Sequence, residues 1–191
     1  DGYFVLPYTI GDYLANDIRT GTIPTDSPAF DEAEKNVRDN IAHLINNNGT
    51  HSVDHFHKRL GKIMWNKCGM ARNAADLKSA ITEIAELRKE FWKDVRVPGT
   101  NEEFNEELAK ALRVADFLEL GELFAKDALL REESAGGHFR EEYQTEEGEA
   151  QRRKEFQYVA AWEYKGDPKD AVLHKEDLVY ENIEVKERSY K

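Results

Sequence analysis

Three histidines, His51, His55 and His57, form the densest group of potential metal ligands in the chain. On a helix, a spacing of four residues places His51 and His55 on one face, and such a pair can hold a transition metal. His57 would point elsewhere, and neither a cysteine nor a suitably spaced carboxylate completes a tetrahedral set. We therefore predict that the cluster marks the exposed start of a helix and is metal-free when the chain is purified without added metal.

A second polar cluster surrounds the paired glycines Gly136 and Gly137 and contains Glu133, His138 and Arg140. A histidine and an arginine on a glycine-rich loop could bind an anion or take part in acid–base chemistry. The alternative is a loop that hydrogen bonds hold against a neighbouring domain, and isolated charged loops are usually solvated or structural. We favour the second interpretation and take Glu133, His138 and Arg140 as candidates for contacts between domains.

Other catalytic and binding classes find little support. The chain contains no GxGxxG, P-loop, GxSxG or HExxH motif. Its net charge of −11 argues against a nucleic-acid partner, because phosphate contacts need concentrated Lys and Arg. The single cysteine, Cys68, excludes an internal disulfide and favours a reducing, cytoplasmic setting. The residues alone therefore indicate an interaction or scaffold module.

The elements that would position these residues are mainly helical. Residues 29–47 place apolar side chains on one face, and Thr50 can cap a second helix. Asn73 can cap a third helix, and either Thr100 or Asn101 a fourth and longest one. Amphipathic helices joined by short turns pack as an antiparallel bundle. The predicted fold class is mainly α: an antiparallel bundle of three to four helices with a small C-terminal β or irregular extension.

Breaks in this pattern divide the chain. Residues 1–21 carry a short helix after Pro7, and residues 22–28, with two prolines, form a linker. The remaining assignments are the helical bundle over residues 29–134 and a C-terminal extension with short strands over residues 135–191. In that extension, alternating apolar residues predict strands from Phe156 to Tyr164 and from Leu178 to Val185.

Three motifs occur in order along the chain from Gly69 onwards. They are Gly69-Met70-Ala71-Arg72-Asn73 before a helix, the run from Arg131 to Arg140, and the closing Arg188-Ser189-Tyr190. Together they resemble the C-terminal region of the flavoprotein subunit of succinate dehydrogenases and fumarate reductases, most closely in its Bacteroides-like bacterial branch. The middle motif is similar to that family's R-x-E-S-R-G-x-H-x-R signature, except that Ala135 stands where the family has arginine.

The resemblance implies a parent protein that binds FAD and interconverts succinate and fumarate. It further implies electron transfer through an iron–sulfur subunit to a membrane cytochrome b subunit and a quinone, on the inner face of the cytoplasmic membrane. Residues 1–21 would then be the end of the flavin-binding domain of the same chain. The family's cofactor- and substrate-binding residues lie upstream, so this chain receives no catalytic and no cofactor-binding residue and is expected to be structural and inactive alone.

Two alternatives stay open. Related flavoproteins such as L-aspartate oxidase or adenylylsulfate reductase share the helical domain, and the chain could also be a free-standing helical interaction module. The sequence upstream of Asp1 would distinguish them. If a flavin domain is missing, we expect both the apolar run Tyr3–Ile10 and the loop Gly136–Glu142 to be exposed and weakly restrained, because both would have lost their partner surface.

Overall fold

The computed structural model describes residues 2–186, so the closing motif Arg188-Ser189-Tyr190 lies outside the described residues. The chain forms two compact units, one ending at Asn40 and the other beginning at Ile41. This boundary falls inside a helix, whereas the sequence suggests the first break in the linker over residues 22–28. Within residues 2–186, no helix combines the length and the apolar character that crossing a bilayer requires.

The first unit contains α1 (Gly2–Tyr8), a π-helical turn (Thr9–Tyr13) and the first part of α2 (Pro28–Asn46). The helix expected after Pro7 instead includes it, one residue before its end. Proline has no N–H to donate, and α-helical geometry stops at the next residue. The apolar side chains of this unit are exposed, as expected for the opening run: Tyr3 is 94% and Phe4 75% accessible.

Three helices form the centre of the second unit: α3 (Val53–Lys67), α4 (Ala74–Asp94) and α5 (Glu106–Leu130). Their apolar stripes meet the last residues of α2 in one core, as amphipathic helices require. Its fully buried members include Leu44, Phe56, Leu77, Ile84, Leu87, Phe91 and Leu118. Gly121 of α5 allows α3 to approach closely, because a Cβ there would lie 3.3 Å from the Leu60 Cδ1 atom.

One predicted helix start is confirmed and two are wrong. Asn73 caps α4, since its side chain accepts a hydrogen bond from the Asp76 amide. The cap of α3 is Ser52 rather than Thr50, because β1 (His51–Ser52) pairs in parallel with β2 (Val95–Arg96) and keeps those residues extended.

The cap of α5 is Asn105, not Thr100 or Asn101. Its side-chain amide donates to the carbonyls of Pro98 and Thr100, which holds the preceding residues in a turn outside the helix. Phe104 therefore lies before the helix and is 84% exposed.

The C-terminal extension carries one antiparallel hairpin of β3 (Tyr158–Glu163) and β4 (Val172–Asp177). The first predicted strand is confirmed, but the second, Leu178 to Val185, is wrong. A short turn with Gly166 at φ +92° and a 3₁₀ segment at Pro168–Asp170 brings the chain back early, so Val172 already pairs with Glu163. Lys126 of α5 holds this turn by donating to the carbonyls of Pro168, Lys169 and Ala171.

Candidate functional site

Arg140 is one of three buried polar residues in the Arg131–Arg140 motif, together with Glu133 and Ser134. Its side chain is 2% exposed, and its Nη1 donates to the carbonyls of Ala128 and Leu129, both at 3.0 Å. These carbonyls belong to the last turn of α5, where no further helical N–H is available to them. Its Nε donates to the Glu142 carboxylate at 3.1 Å. Burial raises the pKa of that carboxyl, but the hydrogen bonds from the Ala74 amide and from Arg140 act in the opposite direction, and the pKa is lowered. Arg140 is thus a cap for the end of α5.

Glu133 is 1% exposed, and both of its oxygens accept hydrogen bonds from the same chain. Arg131 Nη1 donates to one at 2.9 Å, and the Arg153 amide donates to the other at 3.0 Å. Arg131 continues into the extension by donating to the carbonyls of Phe156 and Tyr158. The carboxylate therefore joins the end of α5 to the hairpin segment, and its charge is matched by a neighbouring guanidinium.

His138 bridges the motif to a distant part of the sequence. Its Nδ1 lies 2.8 Å from Arg72 Nη1, a residue 66 positions earlier, and its Nε2 lies 2.9 Å from the Arg131 carbonyl. Arginine can only donate, so Nδ1 accepts and Nε2 carries the proton that is donated to the carbonyl. Burial is the main cause that lowers the pKa of His138, and the positive charges of Arg72, Arg140 and Arg131 lower it further. The His138 ring is therefore uncharged at neutral pH.

The backbone reinforces this bridge. The Arg72 amide donates to the Phe139 carbonyl at 3.0 Å, and the Glu141 amide donates to the Arg72 carbonyl at 2.8 Å. Arg72 also donates through Nε to the carbonyls of Cys68 and Gly69. The first two sequence motifs therefore meet in space, although no local spacing in the sequence pairs them.

We name the group Arg72, Arg131, Glu133, His138 and Arg140 the signature cluster. The loop Gly136–Glu142 is exposed in part, as we expected, with Glu141 and Glu142 open to solvent, but Arg140 is buried and His138 is half-buried. The tip of the loop is also open, since Gly136 and Gly137 are exposed there, and Gly136 has φ +59°, a conformation that favours glycine. Hydrogen bonds of the cluster connect the end of α5, the Gly69–Asn73 segment and the segment before the hairpin.

A second group of polar side chains lies where α3 begins and α4 ends. His51 and His55 stack with ring centroids 4.2 Å apart, and His51 Nδ1 is bonded to the Asp94 carboxylate. That bond and two from Thr50 lower the pKa of Asp94 to about 2. His57 points elsewhere, as predicted, and packs against Phe117 with centroids 5.9 Å apart.

Glu90 is the residue that the sequence did not reveal here. It comes from α4, and its carboxylate lies with the nitrogens of His51 and His55 so that all three possible ligand atoms are within 4.8 Å of one another. Arg59 of α3 pairs with Glu90, and its Nη1 lies 3.4 Å from His55 Nε2. Helical periodicity relates residues of one helix only, so it could not place a carboxylate from a neighbouring helix. We name His51, His55, Arg59 and Glu90 the histidine cluster.

Comparison with known proteins gives the relationship of the chain. A family model described as "Fumarate reductase flavoprotein C-term" matches residues 57–190, which include α4, α5 and the signature cluster. The chain belongs to this family. This confirms the resemblance on which the sequence interpretation rests, while its placement in a Bacteroides-like branch stays a prediction.

Related proteins agree with this assignment. The fumarate reductase flavoprotein subunit of Helicobacter pylori strain J99 is 31% identical over 134 residues, which are 70% of this chain and 19% of the relative. The corresponding subunit of Haemophilus influenzae is 30% identical over 115 residues, 60% of this chain and 19% of the relative. The L-aspartate oxidase of Synechocystis is 24% identical over 127 residues, 59% of this chain and 23% of the relative. The chain thus spans about a fifth of the length of these relatives.

Solved structures share the fold. E. coli quinol fumarate reductase superposes with a TM-score of 0.72 at 22% identity, over 87% of this chain and 27% of that chain. The Mycobacterium smegmatis Sdh1 complex superposes with a TM-score of 0.68 at 26% identity, over 86% of this chain and 27% of that chain. The mainly helical bundle with a small β extension is therefore the fold of this part of the family.

Proposed function

We propose that the chain is the C-terminal helical part of a flavoprotein subunit that interconverts succinate and fumarate, and that its own contribution is structural. The observation that carries this proposal is the family match over residues 57–190. The signature cluster supports the structural role, since Arg140 holds the end of α5, Glu133 joins it to the segment before the hairpin, and Arg72 joins the Gly69–Asn73 segment to His138. The chain itself would contribute no catalytic and no cofactor-binding residue.

The finer parts of the proposal concern the parent protein. FAD would bind in a flavin domain of the same chain, of which residues 1–21 would be the end, followed by the linker, the bundle and the extension. An iron–sulfur subunit would receive the electrons and pass them to a membrane cytochrome b subunit, which places the complex on the cytoplasmic face of the membrane. Two structural neighbours, described as a quinol–fumarate reductase with menaquinol molecules and as M. smegmatis Sdh1 with UQ1, support a quinone or quinol as the redox partner in the membrane.

The surface beside the open tip of the signature cluster is our candidate for contact with the flavin domain. Trp65 and Met70 are 83% and 91% exposed there, which is unusual for side chains of this size. Together with Gly69, Arg72 and Gly137 they line a surface pocket of about 550 Å³. Large exposed apolar side chains around a pocket are typical of a surface that a partner covers. His138, Arg140 and Glu133 would act from behind this surface by fixing the loop that bears it.

The complete gene product tests the activity. We expect it to purify with bound FAD and to oxidise succinate with a dye as the electron acceptor, whereas the 191-residue chain alone should be colourless and inactive. Oxidation of L-aspartate in place of succinate would instead support the aspartate oxidase alternative, and a gene product without flavin would overturn the proposal. Family membership already argues against an unrelated helical module.

A matched pair of substitutions in the same protein tests the docking surface. Trp65→Ser should weaken contact between the domains by about 2 kcal/mol, the usual cost of removing a central interface tryptophan. Val179 is similarly exposed, at 85%, but does not line the pocket, so Val179→Ser should leave the contact unchanged. Limited proteolysis between the domains measures the effect. Equal cleavage of the two variants would show that the flavin domain contacts a different surface.

A further inference from the structure

The histidine cluster has the composition of a metal site. Within residues 2–186, its two imidazoles and one carboxylate are the only group of three potential ligands that lie close enough together to hold one ion. In a tetrahedral zinc site each ligand atom lies about 2.0–2.2 Å from the ion, so neighbouring ligand atoms are about 3.3 Å apart. The atoms here are within 4.8 Å of one another, a gap that rotation of partly exposed side chains can close.

The surroundings of His51 orient it as metal-binding histidines are oriented. Its Nδ1 is held by the Asp94 carboxylate, and Thr50 Oγ1 donates to the same carboxylate. Metal-ligating histidines usually donate one ring N–H to a carboxylate, which fixes the ring and leaves the other nitrogen for the ion. Asp94 therefore occupies His51 Nδ1 and leaves Nε2 as the nitrogen that an ion could bind.

The Arg59 guanidinium is the positive charge that lies beside Glu90 and His55, where a metal ion would bind. It is the positive partner of Glu90 and approaches His55 Nε2, but its side chain is 44% exposed and has room to turn into solvent. An ion pair of this exposure contributes little to stability, so displacing the guanidinium costs little. A divalent ion would replace one positive charge by two beside the same carboxylate.

We propose that His51, His55 and Glu90 form a binding site for a divalent transition metal such as Zn²⁺, with water as the fourth ligand and with Arg59 as the group that the metal displaces. The ion would join the start of α3 to the end of α4. Competition from Arg59 agrees with our expectation that the chain is metal-free when purified without added metal. The family match begins at His57, so two of the three ligands lie before the part that this family shares.

Titration of the untagged 191-residue chain with Co²⁺ tests the site. Tetrahedral Co²⁺ absorbs visible light, so the absorption spectrum shows both binding and coordination geometry. We expect the absorption to saturate at one ion per chain and to disappear when Zn²⁺ is added. His55→Ala and Glu90→Gln should each weaken binding at least tenfold. Asp94→Asn should weaken it about tenfold to a hundredfold, as loss of a carboxylate behind a metal-bound histidine does. Arg59→Gln should tighten it.

His57→Ala is the matched control, since His57 lies on the same helix but faces Phe117. It should leave the affinity unchanged, and circular dichroism without metal checks that every variant is folded. The proposal is overturned if no tetrahedral Co²⁺ spectrum forms, or if His57→Ala weakens binding as much as His55→Ala. Unchanged metal affinity in the Arg59→Gln variant would show that the metal does not displace Arg59.

Discussion

The signature cluster and the histidine cluster are built from the same residue types and behave differently. Each contains histidine, arginine and glutamate. In the first, Arg140 is 2% exposed and donates to two carbonyls of α5, and Glu133 is 1% exposed and accepts from the Arg131 guanidinium and the Arg153 amide. In the second, the side chains of Arg59 and Glu90 are 44% and 39% exposed and meet chiefly each other.

Burial explains the difference. A charge inside the protein has lost its water and must keep every partner, so the signature cluster admits one arrangement. A charge at the surface can exchange its partner for water or for an ion at small cost. The signature cluster is therefore suited to bracing the fold, and the histidine cluster to changing its occupant. The following predictions test that distinction.

The largest effect is expected from removing the buried guanidinium. Arg140→Met should lower the free energy of unfolding by about 3 kcal/mol, because the carbonyls at the end of α5 lose a charged donor. Arg59→Met is the matched control in the histidine cluster and should cost less than about 1 kcal/mol. Urea unfolding of the two variants measures both values, and similar losses would show that burial does not separate the clusters.

A smaller effect is expected from pH. Burial lowers the pKa of His138 in the folded chain, so the unfolded chain takes up a proton first as the pH falls below about 6.5. Stability is then complete above that pH and is lost as the pH falls towards the folded-state pKa, by up to about 1.4 kcal/mol per pH unit. His138→Gln, which can still accept from Arg72, should flatten this dependence.

His55 provides the comparison for that experiment. Its pKa is also lowered, first by burial and then by the charge of His51, but the ring is in reach of solvent and of Arg59. His55→Gln should therefore leave most of the pH dependence in place when unfolding is measured between pH 5 and pH 7. If His55→Gln flattens the curve more than His138→Gln, the assignment of the buried titrating group is wrong.

The smallest effect is expected at the exposed ion pair. Glu90→Gln removes the partner of Arg59 and should change the free energy of unfolding by less than about 1 kcal/mol at moderate salt. Adding 1 M salt should abolish even that difference, because exposed charges are screened. A loss above 2 kcal/mol in urea unfolding would mean that the histidine cluster braces the bundle as firmly as the signature cluster does.

Local signals predicted the elements and some of their ends. Asn73 caps α4 because a side-chain acceptor next to a free amide is a local arrangement. The same logic chose Thr50 and Thr100, and it failed because other contacts hold both residues outside the helices: Thr50 donates to Asp94, and the Thr100 carbonyl accepts from the Asn105 side chain. The second strand was misplaced for a related reason, since its register depends on the turn that returns the chain.

By itself the sequence determined the mainly helical fold, the apolar faces that form the core, and the family, because periodicity and motifs are properties of neighbouring residues. The tertiary structure decided which charges are buried, that Arg72 meets His138, and that Glu90 joins His51 and His55. Those contacts connect segments that are far apart in the chain, and their distance is set by how helices pack. The residue types indicated which chemistry was possible. Packing buried the charges of the signature cluster and left those of the histidine cluster at the surface, where a partner can be exchanged.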